Sequence, residues 1–277
     1  MKSFHDKVAA ITGAGSGMGR ELAIELAARG CHLALSDVNE AGLAQTVSLV
    51  GDRVRVTHAR VDVAVREQVY AWADAVVRDH GKVNLIFNNA GVGLGASIEG
   101  MRYEDFEWLM NINFWGVVYG TKAFLPHLKR AEEGHIINTS SVFGLIGVPS
   151  QSAYNAAKFA VRGFTEALRM ELEMEGCKVS ATSVHPGGIK TNIARAARLD
   201  PSVGQLGIDH RNATVRFEKN FITTANRAAR IILRAVEKNQ RRVLVGPDAY
   251  VVDWMVRLMP SLYQRLVVQF SRRTMAA

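Results

Sequence analysis

A tyrosine, a lysine and a serine are the side chains of this sequence whose spacing best supports chemistry. Tyr154 and Lys158 lie four residues apart, and Ser141 precedes the tyrosine by 13 residues. On a helix, residues four apart share one face, and a nearby ammonium stabilises a phenolate and lowers the pKa of the phenol. Tyr154 can then exchange a proton with an alcohol or a ketone, while the Ser141 hydroxyl orients the substrate oxygen. The set predicts acid/base catalysis. For the pair alone, the alternative is a surface tyrosine packed on a lysine stem.

A glycine-rich turn predicts where a hydride carrier would bind. Residues 12–19 read T-G-A-G-S-G-M-G and join a predicted strand to a predicted helix. Glycines at such a junction let the backbone approach a pyrophosphate, whose charge lies at the helix N-terminus. The turn departs from the G-x-G-x-x-G pattern, because Met18 stands where that pattern has its last glycine.

Asp37 is the candidate selector of the cofactor. It follows the second predicted strand, 24 residues beyond Gly13, and the neighbouring Val38 is not basic. A carboxylate at this place accepts hydrogen bonds from the adenosine ribose and repels a 2′-phosphate, which favours NAD over NADP. The alternative is that Asp37 only caps the following helix.

Taken in order along the chain, the motifs resemble those of the short-chain dehydrogenase/reductase family, with its T-G-x-x-x-G-x-G turn and Y-x-x-x-K pair. The resemblance spans residues 5 to about 191 and, more loosely, to 246. Further matches are Asp62-Val63 after the third predicted strand, Asn88-Asn89-Ala90-Gly91 after the fourth, Asn113 in the next helix, and Pro186-Gly187-Gly188-Ile189-Lys190-Thr191 after the sixth.

The resemblance implies a role for each matching residue. Lys158 would also bind the nicotinamide ribose, and Asn113 would hold a water of the proton relay. Asp62 and Val63 would contact adenine, and Thr191 the nicotinamide carboxamide. The implied catalytic residues are Asn113, Ser141, Tyr154 and Lys158. The implied cofactor-binding residues are Gly13, Gly15, Ser16, Gly17, Met18, Gly19, Asp37, Asp62, Val63, Asn89, Ala90, Gly91, Tyr154, Lys158, Pro186, Gly187, Ile189 and Thr191.

The elements that must position these residues alternate along the first two-thirds of the chain. Short β-branched runs and longer stretches of helical periodicity follow one another, which is typical of parallel strands joined by crossover helices. We therefore predict an α/β fold: a Rossmann-type doubly wound parallel sheet of about seven strands with helices on both faces, in three α/β/α layers. The predicted strands are Lys7–Thr12, His32–Ser36, Arg53–His58, Asn84–Phe87, His135–Asn138, Lys178–Val184 and Arg242–Val245. The predicted helices include Gly17–Arg29, Glu40–Val50, Val65–Asp79, Tyr103–Ala131 and Ala153–Glu175.

The sequence predicts one domain, residues 1–277, with two appendages. A long segment of weak periodicity, about 191–220, is the candidate substrate lid. An apolar helical extension, about 248–273, is broken at Pro260. The apolar face of this extension would pack across a subunit interface or roof the substrate pocket, and a basic amphipathic helix lying on a membrane is the alternative. The family resemblance implies a homodimer or homotetramer.

Composition argues against several other classes of protein. The net charge of +8 comes from scattered basic residues, so we expect no nucleic-acid partner. The histidines form no metal-binding motif, and His185 is predicted to be a core or loop histidine rather than a second base. No signal-peptide core or apolar run of roughly 18 residues is present. We expect a soluble, cytoplasmic protein whose two cysteines stay reduced.

Together these features predict an NAD-dependent oxidoreductase acting on CH–OH donors, which interconverts a secondary alcohol and a ketone. Apolar loops at Val92–Gly95 and Val142–Val148 favour an apolar substrate, such as a steroid, long-chain or aromatic compound. Arg195 and Arg198 of the lid favour an anionic group instead. The alternatives are an NADPH-dependent ketone or acyl-carrier reductase and a non-catalytic dinucleotide-binding sensor.

Overall fold

A central sheet of seven parallel strands lies in the part of the chain that a computed structural model describes, residues 1–131, 133–209 and 221–275. The strands are β1 (Val8–Thr12), β2 (His32–Asp37), β3 (Val56–Arg60), β4 (Leu85–Asn88), β6 (Gly134–Thr139), β7 (Val179–Pro186) and β11 (Arg242–Val245). They lie side by side in the order β3-β2-β1-β4-β6-β7-β11. Between β1 and β4 the direction of winding reverses, and in such sheets the crevice at the carboxyl ends of these strands binds ligands.

Helices cover both faces of this sheet. Against one face lie α1 (Gly17–Ala27), α2 (Glu40–Val50) and α7 (Ala225–Glu237); against the other lie α3 (Arg66–His80), α5 (Gly116–Arg130) and α6 (Ser152–Met174). On the first face, Ile11 and Leu35 of the sheet pack with Leu26 of α1. On the second, Trp72 and Phe124 meet edge to face with their ring centroids 5.1 Å apart. The predicted doubly wound α/β/α fold is confirmed.

Most boundaries lie within two residues of the predicted ones, and two elements differ further for local reasons. The strand predicted at Arg53–His58 begins only at Val56, because Gly51 at φ +64° ends α2 and a short 3₁₀ turn occupies residues 51–53. The single helix predicted at Tyr103–Ala131 consists of α4 (Tyr103–Met110) and α5, joined by a π-helical turn at Asn111–Trp115. A π turn inserts one residue into a continuous helix, so it changes the direction of the side chains without breaking the apolar periodicity.

The lid and the C-terminal extension have local structure of their own. Within the lid, β9 (Arg198–Leu199) pairs with β5 (Leu94–Gly95), whereas residues 210–220 lie outside the described part of the chain. Just beyond the turn at Pro186, the short strand β8 (Ile189–Lys190) pairs with β10 (Thr223–Thr224). The extension forms α8 (Pro247–Leu258) and α9 (Tyr263–Met275), interrupted around Pro260 as predicted.

The cysteines are not joined by a disulfide, and the helices are not of the membrane-spanning kind in the described residues. Cys31 is buried and Cys177 is half-buried, and both thiols are free. Among the described residues, no helix combines the length and the apolar character needed to cross a bilayer.

Candidate active site

Three of the four predicted catalytic residues converge where β6 and α6 meet. Ser141 follows the carboxyl end of β6, and Tyr154 and Lys158 lie in the first two turns of α6. The Lys158 ammonium donates a hydrogen bond to the carbonyl oxygen of Thr139 at 2.9 Å and lies 5.5 Å from the centroid of the Tyr154 ring. The Ser141 hydroxyl lies near enough to the Tyr154 phenol to lower its pKa. Serine, phenol and ammonium therefore lie together in one group.

Asn113, the fourth residue, reaches this group from the π turn. Its side-chain amide exchanges two hydrogen bonds with the backbone of Val92, one with the N–H and one with the carbonyl, both at 2.8 Å. A Cβ on Gly91 would lie 3.2 Å from Asn113 Oδ1 and 3.6 Å from Lys158 Nζ. The backbone of Gly91 therefore lies close to both the amide and the ammonium, and the π turn places Asn113 beside it.

The loop after Ser141 is held on α6 by a residue that sequence reasoning missed. Asn155, between the tyrosine and the lysine, donates hydrogen bonds to the carbonyls of Phe143 and Ile146, each at 2.7 Å, and accepts one from the Val148 N–H at 3.0 Å. A buried amide with three satisfied bonds fixes the register between loop and helix. Its position inside the Y-x-x-x-K motif was the available signal.

Burial changes the pKa of both titrating groups, and for the tyrosine the expectation was wrong. Desolvation raises the pKa of Tyr154 to about 12, against a smaller lowering by the Ser141 hydroxyl. Desolvation also lowers the pKa of Lys158 to about 8. At 5.5 Å from the ring centroid, the Lys158 ammonium does not outweigh this desolvation in the free protein.

His185 contacts the backbone of Ser141 from within the core. It is fully buried in β7, with Nδ1 3.0 Å from the Ser141 carbonyl oxygen and Nε2 3.0 Å from the Ser183 hydroxyl. A carbonyl only accepts, so Nδ1 carries the proton and Nε2 accepts from Ser183. Burial lowers the pKa of His185 to about 4, which keeps the ring neutral. The prediction of a core histidine is confirmed, and its contact with Ser141 is new.

The glycine turn presents an uncapped helix end. Ser16 stands at the N-cap of α1 but makes no side-chain capping bond, and the first turn contains no acidic residue. The free N–H groups of this turn suit an anion such as a pyrophosphate. Gly19 packs so closely that a Cβ there would lie 2.1 Å from the Gly13 carbonyl oxygen. Thr12, which sequence reasoning did not single out, joins this turn to β4 by accepting from the N–H groups of Asn89 and Ala90 at 3.0 and 3.1 Å.

Asp37 faces the glycine turn and does not cap α2. Its carboxylate accepts hydrogen bonds from the N–H groups of Gly15 at 2.8 Å and Asn39 at 2.9 Å. The N-cap of α2 is Asn39, whose side chain accepts from Gly42. The half-buried carboxylate therefore lies beside the turn, where the adenosine ribose of a dinucleotide would come.

The Pro186–Thr191 segment meets the glycine turn from the opposite side. A Cβ on Gly17 would lie 3.2 Å from the Thr191 methyl group, so the two motifs are neighbours. Asp248, at the start of α8, holds this segment by accepting a hydrogen bond from the Gly188 N–H at 2.5 Å. Its other oxygen, Oδ1, is buried without a hydrogen-bond partner. Sequence reasoning missed Asp248 because about 60 residues separate it from the turn.

Asp62 and Val63 occupy the third strand's end of the crevice. The Asp62 carboxylate accepts from the Ala64 N–H at 2.9 Å and so shapes the loop. Val63 is buried against α5, where a Cβ on Gly116 would lie 2.9 Å from its methyl group. The remaining positions of the predicted cofactor set, Met18 and Ile189 among them, belong to the segments already described.

The apolar loops contribute fewer free surfaces than the sequence suggested. Leu94, Val142 and Leu145 are buried in the packing of the protein itself. Phe143 is half-buried and meets the Tyr154 ring edge to face at 6.1 Å, and Val92 is half-buried beside Asn113.

Arg198, one of the two arginines expected to favour an anionic group, binds the segment predicted to form the lid to the rest of the protein. The Arg198 guanidinium lies 2.7 Å from the Asp105 carboxylate and stacks 3.6 Å above the Trp108 ring. Arg102 binds the same carboxylate at 2.7 Å, and its hydrogen bond is the main reason that the pKa of Asp105 is lowered. Arg198 thus secures the segment around β9 to α4. Among the described residues, no three metal-ligating side chains form a cluster.

Comparison with known proteins agrees with this geometry. The family model for short chain dehydrogenase matches residues 7–202. SadH of Mycobacterium tuberculosis, named as an oxidoreductase, is 50% identical over 269 residues, which cover 96% of each chain. A crystal structure of a short-chain dehydrogenase/reductase from Burkholderia phymatum in complex with NAD is 34% identical, with a TM-score of 0.86 and coverage of 96% of this chain and 97% of that one. A short chain dehydrogenase from Mycobacterium paratuberculosis bound to NAD is 26% identical, with a TM-score of 0.76 and coverage of 88% and 97%.

The matched span contains the glycine turn, Asp37 and the Asn88–Gly91 segment. It also contains the serine, tyrosine and lysine that the structure brings together. The motifs, the sheet order and the similarity over nearly the whole chain agree, and the protein is a member of the short-chain dehydrogenase/reductase family of oxidoreductases.

Proposed function

We propose that this protein interconverts a secondary alcohol and a ketone with NAD as the hydride carrier. The observation that carries the proposal is the group of Ser141, Tyr154 and Lys158 at the carboxyl edge of the sheet, with the uncapped glycine turn beside it. When bound, the nicotinamide would take the hydride from the alcohol carbon or return it to the ketone.

Each residue has a separate task in this proposal. Tyr154 transfers the proton at the substrate oxygen, and Ser141 orients that oxygen by its hydroxyl. Lys158, with a pKa near 8, is mainly protonated at neutral pH and stabilises the phenolate across the 5.5 Å to the ring. Asn113 lies beside Gly91 and Lys158, where water would relay the proton.

The residues of the crevice suit a dinucleotide. The N–H groups of the first turn of α1 would bind the pyrophosphate, and Thr191 on the opposite wall would meet the carboxamide. Asp37 would bind the adenosine ribose and disfavour a 2′-phosphate, which supports NAD. Phe143 and Val92 are half-buried apolar residues near the active site, which supports an apolar substituent on the substrate. The proposed assembly is a homodimer or homotetramer.

The direct test replaces Tyr154 by Phe. This change removes the proton-transferring hydroxyl while keeping the ring beside Phe143, so kcat should fall by about 10²–10⁴-fold with NAD affinity retained. Tyr103→Phe, at an exposed tyrosine of α4, is the matched control and should leave kcat unchanged. Near-normal turnover by Tyr154→Phe on a panel of alcohols and ketones would overturn the assignment.

Cofactor choice is tested separately by thermal-shift titration with NAD, NADH, NADP and NADPH. NAD and NADH should stabilise the protein at lower concentrations than their phosphorylated counterparts. Asp37→Ala should reduce this difference, because it removes both the ribose acceptor and the repulsive charge. Preference of the wild type for NADPH would instead support the ketone or acyl-carrier reductase.

A further inference from the structure

An exposed apolar stripe runs along the outer side of the C-terminal extension. Large apolar residues recur every fourth position and are between 42% and 71% exposed. They are Tyr250, Trp254, Leu258, Leu262, Leu266 and Phe270. Spacing by four places the first three on one face of α8 and the others on one face of α9 and the turn before it.

The packing of these helices on the protein uses other residues. Ala249 of α8 is fully buried and Val252 is half-buried, in a cluster with Val142 and Leu145. Tyr263 of α9 is also buried, and its hydroxyl accepts a hydrogen bond from the Gly147 N–H at 3.3 Å. Tyr250, Trp254 and Leu258 are therefore not the residues that hold α8 in place, and a water-exposed surface of this kind usually binds something.

The charge of the same segment identifies the partner. Residues 254–277 contain no Asp or Glu but four arginines, at positions 257, 265, 272 and 273, so they carry half of the chain's net charge of +8. Arg257 is paired with Asp253, whereas Arg265 and Arg272 lie exposed on α9, beside the stripe. On α9, exposed apolar side chains are thus interleaved with arginine without acidic residues, whereas α8 also carries Asp248 and Asp253. A pattern like that of α9 is typical of helices that lie in the interface of an anionic bilayer.

The adjoining groove has the same character. Between β11 and α8 it is lined by Tyr250 and Trp254 together with three arginines and Asp253, which pairs with Arg242 and Arg257. Contact with a second copy of the chain through the stripes would instead bring both sets of arginines together, with no carboxylate from residues 254–277 to offset them.

We propose that the outer stripe of α8 and α9 docks the protein on an anionic lipid surface, lying in the interface without crossing it. The inner side of α8 contacts the loop after Ser141, and Asp248 holds the turn at Gly188. Docking therefore brings the candidate active site close to the bilayer. Delivery of an apolar alcohol or ketone from the lipid rests on the proposed function, whereas docking itself does not.

The test is co-sedimentation of the full chain with vesicles of phosphatidylcholine alone or mixed with phosphatidylglycerol, at low and high salt. We expect binding to the mixed vesicles, weakened by salt. Two double variants, Trp254→Ser with Leu258→Ser and Arg265→Glu with Arg272→Glu, should each weaken binding by about tenfold or more. Met174→Ser is the matched control, since Met174 is 88% exposed but lies among Glu171, Glu173 and Glu175.

Several results would overturn the proposal. They are no binding to the mixed vesicles, equal binding by all variants, and a stripe variant that only lowers the molar mass in light scattering, which would make the stripe a subunit interface. Thermal-shift titration with NAD shows that each variant is folded. If the Trp254→Ser, Leu258→Ser variant does not fold, the variant of the exposed arginines Arg265 and Arg272 still tests the proposal. Because vesicle binding needs no turnover, failure of docking and failure of the proposed reaction are separate outcomes.

Discussion

The buried ring of His185 predicts a loss of stability below neutral pH that one substitution removes. The neutral imidazole donates to the Ser141 carbonyl and accepts from Ser183. A second ring proton would place a charge in the core and turn the Nε2 acceptor into a donor facing the Ser183 hydroxyl. Burial accordingly lowers the pKa of His185 to about 4, from an ordinary value near 6.5.

The sign and size of the effect follow from these two values. Because the folded pKa lies below the unfolded one, the unfolded chain binds more protons between them, so the stability present above about pH 6.5 is lost as the pH falls toward 4. The gap corresponds to roughly 3 kcal/mol over the whole window, of which roughly 2 kcal/mol is lost by pH 5. That is a large part of the stability of an ordinary domain.

The assay is chemical denaturation at about pH 7.5 and pH 5, followed by tryptophan fluorescence at one protein concentration, so that subunit association contributes equally. His185→Asn keeps a nitrogen that can donate to Ser141 but does not titrate, so it should lose roughly 2 kcal/mol less stability between the two pH values than the wild type. His135 is also buried, with its pKa lowered to about 3, and it adds the same loss to both proteins. His58→Asn, at an exposed histidine, is the control and should behave as the wild type.

The reasoning fails if His185→Asn and the wild type lose equal stability on acidification. A second variant separates support of Ser141 from titration: His185→Phe removes the donor as well, so the Ser141 carbonyl is left unpaired and kcat should fall. Asn at the same position should retain most of kcat.

Three further outcomes are expected. Alcohol oxidation should speed up from about pH 6 to pH 9, because oxidation needs the phenolate of Tyr154, whereas ketone reduction should change little, because with a pKa near 12 the phenol stays protonated over this range; pH–rate profiles in both directions check this. Asp248→Asn should weaken NAD binding by about tenfold, measured by calorimetry, because the Gly188 N–H loses a charged acceptor. Asp105→Asn should loosen the lid, raising KM for substrate more than it changes kcat, and limited proteolysis within residues 191–209 should become faster.

The fold could be predicted from the sequence because its signals are local. Strand and helix periods alternate, and the glycine turn marks the first crossover. The π turn around Asn113 could not be predicted, since one inserted residue leaves the apolar pattern of the helix intact. The predicted start of β3 was wrong, because the turn that begins at Gly51 extends into the β-branched run.

The motif residues of the site could be predicted, but their supports could not. His185 and Asp248 act through contacts 44 and 60 residues away along the chain, and no periodicity records such pairs. The direction of the Tyr154 pKa also depended on tertiary structure. The pair of Tyr154 and Lys158 indicated a lowered value, but the desolvation that raises it comes from the surrounding fold.

The raised pKa of Tyr154 gives the site a preferred protonation state, and this bears on the direction of the proposed reaction. With a pKa near 12 the phenol is protonated at neutral pH, which is the form that gives a proton to a ketone. Oxidation of an alcohol needs the phenolate, and Lys158 alone does not provide it in the free protein. A positive charge brought close by the oxidised nicotinamide would lower the pKa, whereas the neutral, reduced ring would leave it high. The redox state of the cofactor would then select the proton state that its own direction of hydride transfer requires.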